Sequence, residues 1–189
     1  MSRTTNPELT EKIVAAAFRL FHDRGEKGLT LRAVARAAGT TPPSVYQRFP
    51  AKQDLVAALG DRARLRLGRE VMKAPTLEAA FRNYLAVAQR YPQLYRLVFG
   101  PNLRRVLEAA TRRPLLEWFQ QQFKRRLGGT PAEQENRAYG AFLLLHGTAS
   151  ILQYAPGGQL ADEIRARCLL ACDALLRDGR RRKRPSRRS

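Results

Sequence analysis

Residues 31–49 constrain this chain more than any other stretch. Leu31 to Ala38 reads as a short amphipathic helix, Gly39 as a tight turn, and Thr40–Phe49 (TTPPSVYQRF) as a second short helix. Two short helices on a glycine hinge form a helix-turn-helix, whose second member lies in the major groove of DNA. Val34, Ala35 and Ala38 make the inner face of the first helix, with alanine where the two approach most closely. Val45 and Phe49 face back from the second, leaving Thr41, Ser44, Gln47 and Arg48 outside as hydrogen-bond donors. Apolar residues then hold the angle and polar ones are free to read base edges.

The pattern is helical almost throughout. Pro7 and Glu8 open a first helix with an apolar stripe of Ile13, Ala17, Phe18, Leu20 and Phe21, which Gly25 and Gly28 end. Thr30 caps the next helix, its hydroxyl accepting a backbone N–H at a terminus that also suits phosphate. Phe49-Pro50 breaks the chain, and Ala51 to about Val71 reads as one long helix. Breaks at Pro75, Pro92, Gly100-Pro101, Pro114, Gly128-Gly129 and Pro156-Gly157-Gly158 divide the remainder into five or six helices. No strand alternation and no fixed-period repeat is present. The expected class is all-α: an N-terminal three-helix helix-turn-helix domain followed by a C-terminal helical bundle that dimerises. The expected division is 1–55 for DNA binding, 56–178 for ligand binding and dimerisation, and 179–189 as a disordered basic tail.

Charge agrees with a phosphate-rich partner. The chain of 189 residues carries 35 Lys/Arg against 16 Asp/Glu, a formal +19, and excess positive charge favours polyanions through counterion release. The excess is uneven, with seven basic residues and no acid in Gly179 to Ser189. That tail reads either as a solubilising end or as a sequence-independent clamp on DNA. Two cysteines, Cys168 and Cys172, are too few for a disulfide framework. They stand one turn apart, suiting core or dimer packing, with a thiol or metal sensor as the alternative. Residues 138–161 contain no Asp, Glu, Lys or Arg, but Thr148, Ser150, Gln153 and the Pro-Gly-Gly break suit a buried helix better than a membrane span. No charged-then-apolar signal opens the chain, and the expected location is cytoplasmic. No nucleophile–base constellation, metal-ligand spacing or phosphate-binding glycine loop is present, so the reading is non-enzymatic, with no metal and no cofactor. A non-specific nucleic-acid binder driven by the arginines is the rival from another class.

Four features resemble the TetR family of transcriptional regulators: AAFRLFHDRGEKGLT (16–30), LRAVARAAGT (31–40), SVYQRFPAKQDL (44–55) and the total length. YRLVFG (95–100) and LLHGTAS (144–150) resemble a C-terminal subgroup of the family that has Trp-His-Gly where this chain has Leu145-His146-Gly147. The resemblance implies a homodimer that represses, more rarely activates, a nearby promoter and leaves double-stranded DNA when a small molecule binds; a twofold dimer requires an inverted-repeat operator. It implies phosphate contacts for Thr30 and Lys52, and for Tyr46 a hydroxyl on phosphate with its ring on the domain. It places Thr41, Pro42, Pro43, Ser44, Gln47 and Arg48 on the recognition face, with Arg32 reaching in from the helix before. Family members often have a basic and then a small residue where this chain has Pro42-Pro43. Because proline disfavours helical geometry in the residue before it, the recognition helix is expected to start at Pro43, with Pro42 as its cap. Gln47 and Arg48 then carry direct readout, Gln suiting adenine and Arg guanine.

The aromatics of the middle helices suit either a core or an apolar ligand site. The candidates for the unknown effector are Phe81, Tyr84, Tyr95, Phe99, Trp118 and Phe123, with His146 either a satisfied core group or a ligand contact. The last two long apolar helices, with Gly140, Gly147, Thr148 and Ala149 permitting close approach, suit a four-helix bundle across a twofold axis.

Overall fold

The computed structural model describes residues 7–100, 114–155 and 157–181. Among them stand nine α-helices and no strand: α1 (Pro7–Arg24), α2 (Leu31–Ala37), α3 (Pro42–Tyr46), α4 (Lys52–Met72), α5 (Leu77–Arg90), α6 (Pro92–Phe99), α7 (Pro114–Arg126), α8 (Pro131–Leu152) and α9 (Gln159–Arg181). A single 3-10 turn, Glu26–Gly28, separates α1 from α2.

Two of the breaks expected from the sequence, Pro92 and Pro114, are helix beginnings. Pro7, Pro42, Pro92, Pro114 and Pro131 each occupy the first position of a helix. The N–H that proline lacks has no intrahelical partner there, and its fixed φ is already helical. Threonine supplies the missing acceptors. Thr30 Oγ1 accepts from Ala33 N at 3.1 Å and Thr76 Oγ1 from Ala79 N at 3.1 Å. Thr130 and Glu133 form a reciprocal capping box, Thr130 N donating to Glu133 Oε2 at 2.8 Å and Glu133 N to Thr130 Oγ1 at 3.2 Å.

The chain folds into two compact units, Met1–Arg64 with Gln93–Thr111, and Leu65–Pro92 with Arg112–Ser189. The first therefore extends past residue 55 into α4 and takes in most of α6. In this unit Ile13, Ala17 and Phe21 of α1 are buried with Leu29, Val34, Val45, Phe49, Leu55, Leu59 and Leu94. The Arg62 guanidinium lies 5.8 Å from the centre of the Phe18 ring and pairs with Glu11, closing the outer edge of α1 on α4. Burying each Leu- or Phe-sized side chain stabilises by about 1.5–3 kcal/mol.

In the second unit α8 packs on α5, α7 and α9. Phe81, Leu85, Phe119, Phe123, Leu145, Leu152 and Cys172 lie at its centre, each essentially without solvent contact. α9 runs through Gly179 to Arg181, into the segment expected as tail. The rest of that tail, 182–189, and Pro101 and Pro156 of the expected breaks lie outside the described residues.

Candidate nucleic-acid interface

Glycine and threonine chemistry sets the turn between α2 and α3. Gly39 has φ 64°, the left-handed region where glycine carries no Cβ penalty. Gly39 N donates to Arg36 O at 3.2 Å and Thr40 N to Ala35 O at 3.0 Å, the paired bonds of a Schellman motif. The chain then reverses onto Thr41, which is extended (φ −92°, ψ 150°) and caps α3, its Oγ1 accepting from Ser44 N at 3.4 Å and lying 3.0 Å from Ser44 Oγ. The expected start of this helix at Pro43 is therefore corrected: α3 starts at Pro42, and Thr41 is its cap. Both prolines sit in the first turn, where missing N–H groups leave no bond unmade, and the Thr41 cap offsets the unfavourable Pro-Pro geometry.

Val34 and Val45 have no exposed surface and Phe49 is buried, so the expected apolar side is the side that packs. Thr30, Arg32, Thr41, Pro43 and Gln47 are exposed, Pro42 and Ser44 are half-buried, and Tyr46 is 49% exposed. Lys52 begins α4, its Nζ donating to Glu26 O at 3.3 Å. One expected reader stands differently. Arg48 is half-buried, its Nη1 donates to Ser44 O at 3.0 Å, and its Nε is buried and makes no hydrogen bond. Its guanidinium folds back on its own helix because α3 ends at Tyr46, leaving a carbonyl of the last turn within reach. Gln47 is thus the exposed base-reading candidate in the pair.

The residues expected around an effector divide between the two units. Tyr95 and Phe99 belong to the first, with ring centres 4.8 Å apart. Phe81, Tyr84, Trp118, Phe123 and His146 belong to the second, in two groups. Phe81 stacks on Phe119 at 6.0 Å and lies 6.3 Å from Phe123, all three with almost no exposure, which is a packed core. Tyr84 meets Phe142 edge-on at 6.1 Å, and Phe142 lies parallel to His146 at 6.0 Å. Phe142 bridges the two expected residues and went unpredicted, although its place one turn before His146 was a usable signal. Burial holds the His146 imidazole below the ordinary histidine range, favouring its neutral form.

Cys168 and Cys172 are both buried free thiols, and Cys168 Sγ lies 3.6 Å from Leu144 O. Hydrogen bonding from Cys172, and then from Thr148, draws the Cys168 thiol down to about 6, while the same bond and burial push Cys172 up. Among the described residues no group of three or more His, Cys, Asp or Glu could hold a metal ion. Nor, among them, is any helix long and apolar enough to cross a membrane.

On α8, Tyr139, Leu143 and Ile151 recur every four or eight residues and are 38%, 62% and 53% exposed, with Leu144 beside them at 39%. Gly147 fills the gap in this stripe, and a Cβ there would meet nothing within 4 Å. Leu160 and Leu170 of α9 are 63% and 62% exposed. Of the small residues expected at a subunit contact, Gly140 instead approaches Leu175, its Cβ position 3.7 Å from that side chain, and Thr148 and Ala149 are buried. They serve packing within the unit, while Gly147 is on the surface.

A capped first helix, a left-handed glycine and a short second helix with one buried and one polar side define a helix-turn-helix protein. Residues 13–59 match the family described as bacterial regulatory proteins, tetR family. The HTH-type transcriptional repressor DrrR1 of Streptomyces coeruleorubidus is 33% identical over 113 residues, covering 53% of this chain and 42% of that repressor. The chain thus spans less than half the length of this curated relative. A TetR transcriptional regulator from Streptomyces coelicolor has the same fold, with a TM-score of 0.67 over 93% of this chain and 99% of that one at 21% identity. The multidrug binding protein EbrR, crystallised with imidazole, matches at 0.64 over 93% and 94% at 20% identity. Residues 13–59 are thus similar to the tetR family of bacterial regulatory proteins, and the chain shares the fold of the two solved structures.

Proposed function

We propose that this protein is a homodimeric, sequence-specific DNA-binding regulator, a repressor that leaves its operator when a small molecule binds the second unit. The observation that carries the reading is the division of α3: Val45 is wholly buried while Thr41, Pro43, Tyr46 and Gln47 stand in solvent. A helix with that division, held by a cap and a Schellman turn, presents a rigid polar edge to a groove. Thr30, Arg32 and Lys52 flank it as backbone contacts, which position the protein without reading sequence. Thr41, Ser44 and Gln47 supply hydrogen bonds to base edges, Pro42 and Pro43 apolar contact with a thymine methyl, and Arg48 joins only after releasing Ser44 O.

Dimerisation is supported by the apolar stripe of Tyr139, Leu143 and Ile151, with Leu160 and Leu170. Contiguous exposed apolar surface of this kind marks an interaction face. A twofold pair of such chains requires an inverted-repeat operator, with half-sites one helical turn or a multiple apart. For the effector, the Tyr84–Phe142–His146 group and the half-buried Trp118 are the candidates, since Phe81 and Phe123 are already closed in by neighbours. Helix α4 belongs to both units, with the division between Arg64 and Leu65, and we assign it the coupling. The effector releases DNA only if it binds the displaced state more tightly, and a coupling of about 1–3 kcal/mol corresponds to roughly 5–150-fold weaker DNA binding.

Selection of duplexes from a random-sequence library by the purified protein tests the reading. Recovery of one inverted repeat, bound by two chains per duplex, is the expected result. Retention of all sequences alike, with equal salt dependence for each, would show a non-specific polyanion binder instead.

A further inference from the structure

Within the first unit, the end of α1, the 3-10 turn, the start of α4 and α6 enclose a cleft of about 610 Å³. Its apolar floor is Phe21 and Leu97, both buried. Four cations line it, Arg24, Lys27, Lys52 and Arg96, against one carboxylate, Glu26. Arg24, Lys27 and Arg96 are exposed at its rim, and Lys52, half-buried, is held toward it by donating to Glu26 O at 3.3 Å. Gln93, in the first turn of α6, contributes an amide on the same wall. A volume in the range of small-molecule sites, lined by a net excess of three positive charges, suits a compact, multiply charged anion.

We propose that this cleft is a binding site for a small multivalent phosphate anion, separate from the aromatic groups of the second unit. Arg24 and Arg96 present planar forks suited to two phosphate oxygens each, and Lys27 and Lys52 act as point charges between them. The apolar floor adds contact for an organic group attached to the phosphates. Because Lys52 is also assigned to the DNA backbone, a bound anion and DNA compete for it, a consequence that rests on the DNA-binding reading. The site itself does not rest on that reading.

The test uses the full chain without DNA and inorganic triphosphate as the probe, followed by titration calorimetry at moderate salt. The chain's net charge attracts any polyanion, so the comparison is between two double variants that each remove two exposed positive charges. Arg24→Gln with Arg96→Gln removes two of the four cations of the cleft, and Lys12→Gln with Arg19→Gln removes the same charge from the exposed side of α1. The expected result is one saturable site per chain, weakened at least about tenfold by the cleft pair and less than about twofold by the control pair. Absence of a saturable site, or equal weakening by both pairs, overturns the proposal. No DNA is present, so neither failure bears on operator recognition.

Discussion

Helices α3 and α8 follow the same local rules and present opposite surfaces. Each is opened by a threonine cap followed by proline, and each buries one side. The outward side of α3 carries Thr41, Gln47 and the Tyr46 hydroxyl, groups that water satisfies. The outward side of α8 carries Tyr139, Leu143 and Ile151, which water does not satisfy. A polar free face is stable alone and selects its partner by geometry. An apolar free face is costly alone and is driven onto a partner by area. Exposure by itself therefore does not name a partner; the chemistry of what is exposed does.

The comparison breaks most visibly at α8. Leu143→Glu combined with Ile151→Glu places two charges on the stripe and should turn the proposed dimer into a monomer by light scattering, with cooperative thermal unfolding retained. A dimer that survives both charges would mean that the contact lies elsewhere. Next in size is the reading edge of α3: Gln47→Ala should cost about 1–3 kcal/mol of discrimination between the selected operator and a mismatched one, with thermal stability unchanged. Arg48→Ala should differ by lowering stability about 1 kcal/mol, since its bond to Ser44 O is lost; denaturant unfolding of the two variants side by side distinguishes them.

Glycines give the third contrast. Gly39→Ala meets no neighbour but must adopt φ 64°, so it should destabilise the first unit by about 1–2 kcal/mol. Gly147→Ala has neither clash nor positive φ, and in the monomeric double variant it should stabilise by about 0.5–1 kcal/mol through helix propensity. Equal signs for the two would refute the assignment of one as a turn residue and the other as a surface residue.

The smallest effect is at His146. Its folded imidazole titrates below the ordinary histidine value, so the unfolded chain binds the extra proton first. Stability is accordingly full above the unfolded value and is lost as pH falls below it. His146→Gln should flatten the decline of melting temperature between neutral and mildly acidic pH, and an unchanged slope would place the acid sensitivity in other groups.

Much of the fold was legible because it is written in neighbours. Thr30 three residues before Ala33, Gly39 after Ala38, and Pro92 or Pro114 at a helix start act over one turn, within reach of inspection of the chain. The register of α3 was misjudged by one residue because two local preferences conflict at Pro42-Pro43, and the Thr41 hydroxyl resolves them. The bond from Arg48 to Ser44 O has a similar origin: an outward position on a helical wheel says nothing of a carbonyl exposed where the helix stops.

Sequence alone determined the all-helical class, the helix starts at Pro7, Thr30, Pro92 and Pro114, and the buried set of Val34, Val45 and Phe49, since these follow from backbone bonding and periodicity over a few residues. Only the tertiary structure decided that Tyr95 and Phe99 share a unit with the recognition helix while Tyr84 and His146 do not. It alone drew Arg24, Lys52 and Arg96 around one cleft. Those groupings join residues tens of positions apart, and it is packing between helices, not the pattern within any one of them, that brings such residues together.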